Sequence, residues 1–323
     1  MNDAKFISLD NVKARKVDWL WHPYIARNCL SIFEGDPDIG KSYLAMHLAA
    51  MVTIGGELPS GTRVRRGRVL YVTAEDDASI TVRPRIEAMG GNLKRIRVLE
   101  GFLNFSDEGL EILEKEMLTH PADLVIFDTL YSFLPDGVDL GKPSAMRERL
   151  HALEQVFKPH DCAIMLIRHW TKGGKGKAIY RGGGLIDIIG VARTAMAVAK
   201  HPENPELRVL AQVKNNIGPK GESLIFCLKS YNDTLPVVEW RGTTDLTADD
   251  LEGAVGKPEK AVDSATEFLL KQLKDGPKLQ SKIMETAHRY SIAPRTLDRA
   301  KAEIGVKSKK LKEGWCWSLP LSK

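Results

Sequence analysis

Apolar and polar positions along the chain fall into two alternating rhythms. Short, nearly continuous apolar runs recur at 29–35 (CLSIFEG), 68–76 (RVLYVTAED), 123–130 (DLVIFDTL), 162–170 (CAIMLIRHW), 193–200 (RTAMAVAK), 208–216 (RVLAQVKNN) and 224–230 (LIFCLKS). Runs this short and this apolar read as strands buried on both faces. Between the first four lie stretches with helical spacing, such as Ser42–Val52 and Met146–Phe157. The alternation predicts an α/β fold whose central sheet is predominantly parallel. Past Arg193 the strands follow one another without long helices, which predicts an antiparallel extension at one edge.

The strand rhythm stops at 245–262, where acidic residues, glycine and proline take over. The predicted organisation is a core over 1–243 (core proper from about 17), a linker over 244–259 and a small domain over 260–323. In the small domain three helical patterns are expected. They are Val262–Lys274, stopped by Gly276-Pro277; Leu279–Tyr290; and one from Pro294, in its favoured first-turn position, to Gly305. Two short strands around Glu313-Gly314 complete the pattern of a winged helix-turn-helix. Trp19 and Trp21 are expected to pack beneath the large sheet, and Trp315 and Trp317 in the small core.

Composition narrows the class. With 323 residues, 43% hydrophobic and 28% charged, the chain is long enough for one large core and an appended domain. No run approaches the length of a membrane span and the N-terminus lacks a signal-peptide core, so the reading is a cytoplasmic protein without a membrane partner. The four cysteines form no CxxC pair and are expected to be isolated, reduced core residues. Net charge is +5, unevenly placed: 257–323 holds 15 Lys+Arg against 8 Asp+Glu, or +7, leaving −2 for the rest. That asymmetry points to a polyanion partner; a solvated lysine-rich tail gives the same sum.

The chemistry concentrates in EGDPDIGKSY, residues 34–43. Gly35, Asp36, Pro37, Asp38, Ile39, Gly40, Lys41, Ser42 and Tyr43 carry the G-x4-G-K-S pattern of a phosphate-binding loop, after a strand and opening a helix. Backbone N–H groups at the helix start surround phosphate oxygens, Lys41 reaches the β and γ phosphates, and Ser42 ligates Mg²⁺. The cofactors implied are ATP and Mg²⁺. Asp38 stands where many such loops have glycine, and aspartate tolerates a left-handed backbone better than most residues.

Hydrolysis needs an acid for the metal shell and a base for water. Asp128, ending LVIFD, is the expected metal-shell residue; capping a turn is the alternative. Glu75, at the end of VLYVTAE, is the candidate base with Asp76 supporting it, on a strand expected beside the phosphate loop. Helix capping by the acidic cluster competes with that role. His169, ending IMLIRH, could sense the γ-phosphate, or be structural.

Together these segments resemble the RecA-like ATPases of the hexameric replicative helicase group, and in particular RepA-type plasmid and phage helicases. The resemblance spans most of 17–230. Its most specific parts are the AEDD strand end and YRGGGLIDIIGVARTAMAV. It implies that Arg193 is an arginine finger reaching a neighbour's γ-phosphate, that Lys214 acts across the same interface, and that the chain forms a homo-oligomer, a hexamer. Where relatives in the DnaB group have Lys-x-Arg, this chain has Lys214-Asn215-Asn216. A surface salt bridge is the alternative for Arg193.

The resemblance also implies a DNA partner. The glycine-rich loop 171–184, with Lys172, Lys175, Lys177 and Arg181, would line a central pore for single-stranded DNA with the loop 135–144; a plain surface loop is the alternative. In the small domain Arg295, Arg299 and Lys301 on the third helix, and Lys307, Lys309, Lys310 and Lys312 after it, are candidates for duplex or forked DNA, with protein docking as the alternative. The implied activity is ATP-driven DNA translocation or unwinding in replication of a plasmid, phage or mobile element. A non-motor DNA-bound ATPase (a loader, mediator or regulator) uses the same motifs.

Overall fold

The computed structural model describes residues 6–135, 143–170, 186–231, 235–254, 258–274, 276–289, 294–311 and 314–320. They fall into two compact units that divide after Glu252.

The first unit opens with a ribbon, β1 (Trp19–Trp21) and β2 (Ile25–Ala26), then enters the sheet with β3 (Leu30–Gly35) and α1 (Lys41–Ile54). A second ribbon, β4 (Glu57–Leu58) and β5 (Thr62–Arg63), precedes β6 (Val69–Thr73), α2 (Arg83–Ala88), β7 (Ile96–Val98) and α3 (Asp107–Thr119). There follow β8 (Leu124–Asp128), α4 (Pro143–Phe157), β9 (Ala163–His169), α5 (Ile186–Val191) and β10 (Thr194–Lys200). The last strands are β11 (Leu207–Asn215), β12 (Ser223–Lys229) and β13 (Val237–Thr244), before the short α6 (Ala248–Ala254).

These strands form one nine-stranded sheet in the order β13-β12-β11-β10-β3-β9-β8-β6-β7. From β7 to β10 every neighbour is parallel; β11, β12 and β13 add antiparallel ladders. The antiparallel edge expected past Arg193 is there: it begins with the β10–β11 ladder, while the other side of β10 still pairs parallel with β3. The sheet is RecA-like, and its parallel strands read as apolar runs because both faces are covered. Phe33, Ile126 and Met165 face a core built on α1, whereas Ile32, Phe127 and Leu166 face one built on α3 and α4. Helix α1 is apolar nearly all round, as a helix sunk between sheet and ribbons must be. Trp21 is fully buried there and donates from Nε1 to the Pro59 carbonyl at 3.1 Å.

Two strands of this nine-stranded sheet escaped the sequence reading. β7 is a three-residue edge strand with one arginine within it and another before it, and β13 is a half-exposed edge with mixed polarity, so neither carries a buried-strand signature.

The second unit holds α7 (Pro258–Leu273), α8 (Gln280–Arg289), α9 (Pro294–Glu303) and an antiparallel sheet of β14 (Lys278–Leu279), β15 (Lys307–Leu311) and β16 (Gly314–Ser318), ordered β14-β16-β15. Its core gathers Leu269, Leu273, Ile283, Leu297 and Trp317. Part of the predicted linker is helical: α6 lies within it, and α7 starts at Pro258 rather than Val262. Trp315 corrects the expectation that both wing tryptophans are core. It pairs with Lys310 at the connected end of the β15–β16 hairpin, next to the Leu311–Gly314 pair, and is half exposed, whereas Trp317 pairs with Ser308 and Lys278 deeper in the sheet. The cysteines Cys29, Cys162, Cys227 and Cys316 are all unbridged. Among the described residues no helix is long and apolar enough to cross a membrane.

Candidate functional site

Four parallel strands, β3, β9, β8 and β6, end at the same side of the sheet, and each delivers a candidate residue just past its last apolar position. This is where an open α/β sheet holds a ligand.

The loop from Gly35 to Gly40 turns the chain from β3 into α1. Gly35 is required by packing: a Cβ there would lie 2.2 Å from the Val198 carbonyl oxygen on β10. Asp38 takes the left-handed conformation (φ 59) anticipated for it, and Gly40 follows at φ 97 as the N-cap of α1. Ile39 is buried, and its carbonyl accepts from Arg208 Nε on β11 at 3.0 Å. The loop is thus anchored by an apolar plug below and a guanidinium beside it, with the N–H groups of the first turn of α1 beyond.

Lys41 is buried and its Nζ donates to the Gly35 and Asp36 carbonyls at 3.0 and 2.6 Å. It also meets His169 Nδ1 at 3.0 Å. An ammonium has no lone pair, so Nδ1 is the acceptor and the imidazole is neutral with its proton on Nε2. Burial lowers the Lys41 pKa to about 8, opposed first by Asp128 and then by Asp36, Asp38 and Glu75. The His169 pKa is lowered by burial and then by the Lys41 charge.

Asp128 is buried and accepts from the Tyr71 hydroxyl at 2.8 Å and from the Ser42 hydroxyl. Burial raises its pKa, and those two hydrogen bonds pull it back down. Ser42 and Asp128, from opposite sides of the loop, thus meet directly. A hydroxyl and one carboxylate suit a Mg²⁺ that takes its other ligands from phosphate and water. No group of three or more His, Cys, Asp or Glu placed to hold a metal ion occurs among the described residues.

Glu75 is exposed, and its Oε1 accepts from the Thr129 hydroxyl at 3.1 Å. The turn of Thr73 carries it: Thr73 Oγ1 accepts from the N–H of Glu75 and of Asp76. The expected strand order needs correcting. β6 does not lie next to β3; it is separated from it by β9 and β8, and Glu75 reaches the site over the end of β8. Asp76 turns toward Arg85, 3.8 Å away, whose guanidinium also sits 4.4 Å over the Tyr43 ring. Burial raises the Asp76 pKa against the pull of Arg85. Asp76 and Tyr43 thus belong to a bracket that fixes α2 against the phosphate loop.

Sequence reading missed the residues directly behind the loop. Glu34 and Arg168 are opposite each other in the β3–β9 register, both with no exposed side-chain surface, and Arg168 Nε donates to Glu34 Oε2 at 2.7 Å. The Trp170 ring lies beside the same carboxylate, and its backbone N–H donates to the Gly35 carbonyl at 3.1 Å.

Arg193 and Lys214 are not part of this cluster. Arg193 N donates to the Leu30 carbonyl at the start of β3, and its side chain is exposed. Gly35 is five positions further along the strand, about 16 Å away. Lys214 pairs with Ala195 at the same end. Its ammonium donates to the carbonyls of Ile189, Gly190 and Ala192 at 2.6, 3.0 and 2.8 Å, closing the end of α5.

The DNA-directed candidates divide. Lys172, Lys175, Lys177 and Arg181 lie outside the described residues, as do most of 135–144 and Lys312; the side chains of Arg295 and Arg299 are likewise outside them. Lys307, Lys309 and Lys310 are exposed along β15. Lys301 is not presented outward as expected: its ammonium covers the Trp317 ring at 4.5 Å.

Comparison with known proteins places this geometry. A family model described as AAA domain matches residues 2–175. Among curated relatives, the DNA repair protein RadA of Streptococcus pneumoniae is 24% identical over 62% of this chain and 42% of its own length. The RadA proteins of Chlamydia trachomatis (25% identical, 66% of this chain, 42% of the relative) and Listeria monocytogenes (24%, 69% and 43%) are alike in extent. The chain spans about two fifths of the length of these relatives.

Proposed function

The chain belongs to the AAA domain family, and on that premise we propose that it is a Mg-ATP-driven DNA translocase or helicase that works as a ring, serving replication of a plasmid, phage or other mobile element. The observation that carries the reading is the convergence of Lys41, Ser42, Asp128, Glu75 and His169 where β3, β6, β8 and β9 end.

In this reading the first turn of α1 and Lys41 hold the triphosphate, Lys41 exchanging its bonds to the Gly35 and Asp36 carbonyls for phosphate oxygens. Ser42 and Asp128 hold Mg²⁺, which neutralises phosphate charge when bound. Glu75, steadied by Thr129, orients the attacking water and accepts its proton. His169, bonded to Lys41, registers whether that lysine is engaged with phosphate. Arg193 is too far from its own loop and enters the site of the next subunit, so ATP lies between copies. The second unit acts as a winged helix, with Lys307, Lys309 and Lys310 against DNA phosphates, while 171–184 tracks the single strand in a hexameric pore.

One finding favours a second reading, a non-motor ATPase that loads or remodels DNA complexes: the curated relatives are named DNA repair proteins. A forked-duplex assay separates the two. Strand displacement that needs ATP, and that Lys41→Ala abolishes with a loss of hydrolysis of about a thousandfold, supports the motor. DNA-stimulated hydrolysis without displacement at any fork geometry would replace it with the second reading.

A further inference from the structure

We infer that the buried Glu34–Arg168 pair is a positioning device: it aims His169 at Lys41 and ties the phosphate loop to the turn that steadies Glu75. The inference rests on the hydrolytic reading above and extends it to two residues outside the phosphate loop.

The first ground is cost. Both side chains are fully buried in the middle of a sheet whose neighbouring positions, Phe33, Ile167 and Leu166, are apolar. Taking a carboxylate and a guanidinium out of water costs several kcal/mol each, and well-packed apolar residues in their place often hold a fold as well or better. Stability alone therefore gives no reason for the pair.

The second ground is geometry. Along β9, alternate side chains point to opposite faces. On either side of His169, the Arg168 side chain bonds Glu34 and the Trp170 backbone N–H bonds the Gly35 carbonyl, so the backbone bearing the imidazole is clamped twice to the strand that becomes the loop. His169 is left pointing the other way, with Nδ1 3.0 Å from Lys41. Glu34 itself immediately precedes Gly35, whose carbonyl receives both Lys41 Nζ and the Trp170 N–H.

The third ground is reach. The Tyr131 phenol lies beside the Arg168 guanidinium. Tyr131 belongs to the short 3-10 turn Leu130–Phe133, which directly follows Thr129, the residue that hydrogen-bonds Glu75. One guanidinium thus adjoins the root of the phosphate loop and the turn holding the candidate base. Neither Glu34 nor Arg168 faces a triphosphate, so neither is catalytic.

The test compares Glu34→Gln, Arg168→Lys and the double variant Glu34→Met/Arg168→Met, each measured with single-stranded DNA present for ATP affinity, kcat and melting temperature, and for the His169 tautomer by nitrogen NMR. The double variant restores an uncharged core. If the pair positions, its melting temperature stays near wild type, ATP affinity holds within about threefold, and kcat falls at least tenfold, with His169 Nδ1 losing its hydrogen-bonded signature. Arg168→Lys keeps the charge without the fork and recovers only part of kcat. A folded double variant with wild-type kcat and an unchanged His169 tautomer would overturn the inference. Should it not fold, Arg168→Lys decides: kcat reduced threefold or more with ATP affinity held supports positioning, and unchanged kcat with an unchanged His169 tautomer refutes it. A wild-type protein that binds ATP but never hydrolyses it sinks the functional reading instead, and the tautomer shift then still decides this one.

Discussion

The two ends of β3 hold opposite chemistry. At the Gly35 end lie Lys41, Ser42, Asp128, Glu75 and His169, a mixed set whose charges oppose one another: Lys41 is buried, its pKa lowered to about 8, and four carboxylates lie close enough to resist that shift. At the Leu30 end lie Arg193, exposed, and Lys214, whose charge is already spent on the carbonyls of α5. The first end has what is needed to hold a phosphate, a metal and a water. The second offers, among the described residues, the exposed guanidinium of Arg193 about 16 Å away, a distance no arginine side chain covers. On the proposal that ATP lies between copies, Arg193 is therefore the residue that a neighbouring copy would contribute.

The sharpest way to break that reading is Arg193→Ala. In the shared site the variant binds ATP within a few-fold of wild type and loses about a thousandfold in turnover, the scale of an arginine acting on a transferring phosphoryl group. Glu75→Gln fails at the other end, binding ATP without hydrolysing it. Mixed together, each supplies what the other lacks at a fraction of the interfaces, so phosphate release from the mixture exceeds that of either variant alone. If turnover stays additive at every mixing ratio, the two ends do not meet across subunits.

A smaller effect probes the loop end alone. Gly35→Ala places a methyl group 2.2 Å from the Val198 carbonyl oxygen, and backbone must move to admit it. The expected cost is about 2 kcal/mol, read as a melting temperature lower by about 5 °C, with ATP affinity reduced because β3 and β10 part where the loop begins. A variant that melts like wild type would mean that the loop does not depend on that close approach.

The same contrast explains what was legible in the sequence. Gly35–Ser42, Asp128, Glu75 and His169 are local signals: a turn composition, or a polar residue ending an apolar run, placed by the strand that precedes it. The α/β class followed from the same runs. Strand order did not, because which strands become neighbours depends on the whole chain; Glu75 was therefore assigned to the strand beside β3, when β9 and β8 intervene. Glu34 and Arg168 were invisible for a related reason. Each reads as an isolated interruption of an apolar run until the β3–β9 register puts them opposite one another. Trp315 and Trp317 share a strand face by spacing, yet only depth along the β16 ladder separates the exposed one from the buried one.

Lys214 yields the smallest effect and the finest discrimination, because two roles predict different losses from one substitution. As a cap it neutralises the carbonyls that end α5, a helix of six residues with few internal hydrogen bonds of its own. Lys214→Met keeps the apolar stem and removes the donor. Water reaches part of this end, since Gly190 is exposed, so the cost is about 1 kcal/mol rather than that of several buried orphans. The melting temperature should fall by about 3 °C while turnover stays within threefold of wild type. A residue acting across the interface behaves in reverse, leaving the melting temperature alone and removing turnover as Arg193→Ala does. Thermal melts and phosphate release on one preparation therefore tell whether the positive charge at the Leu30 end comes from Arg193 alone or from both residues.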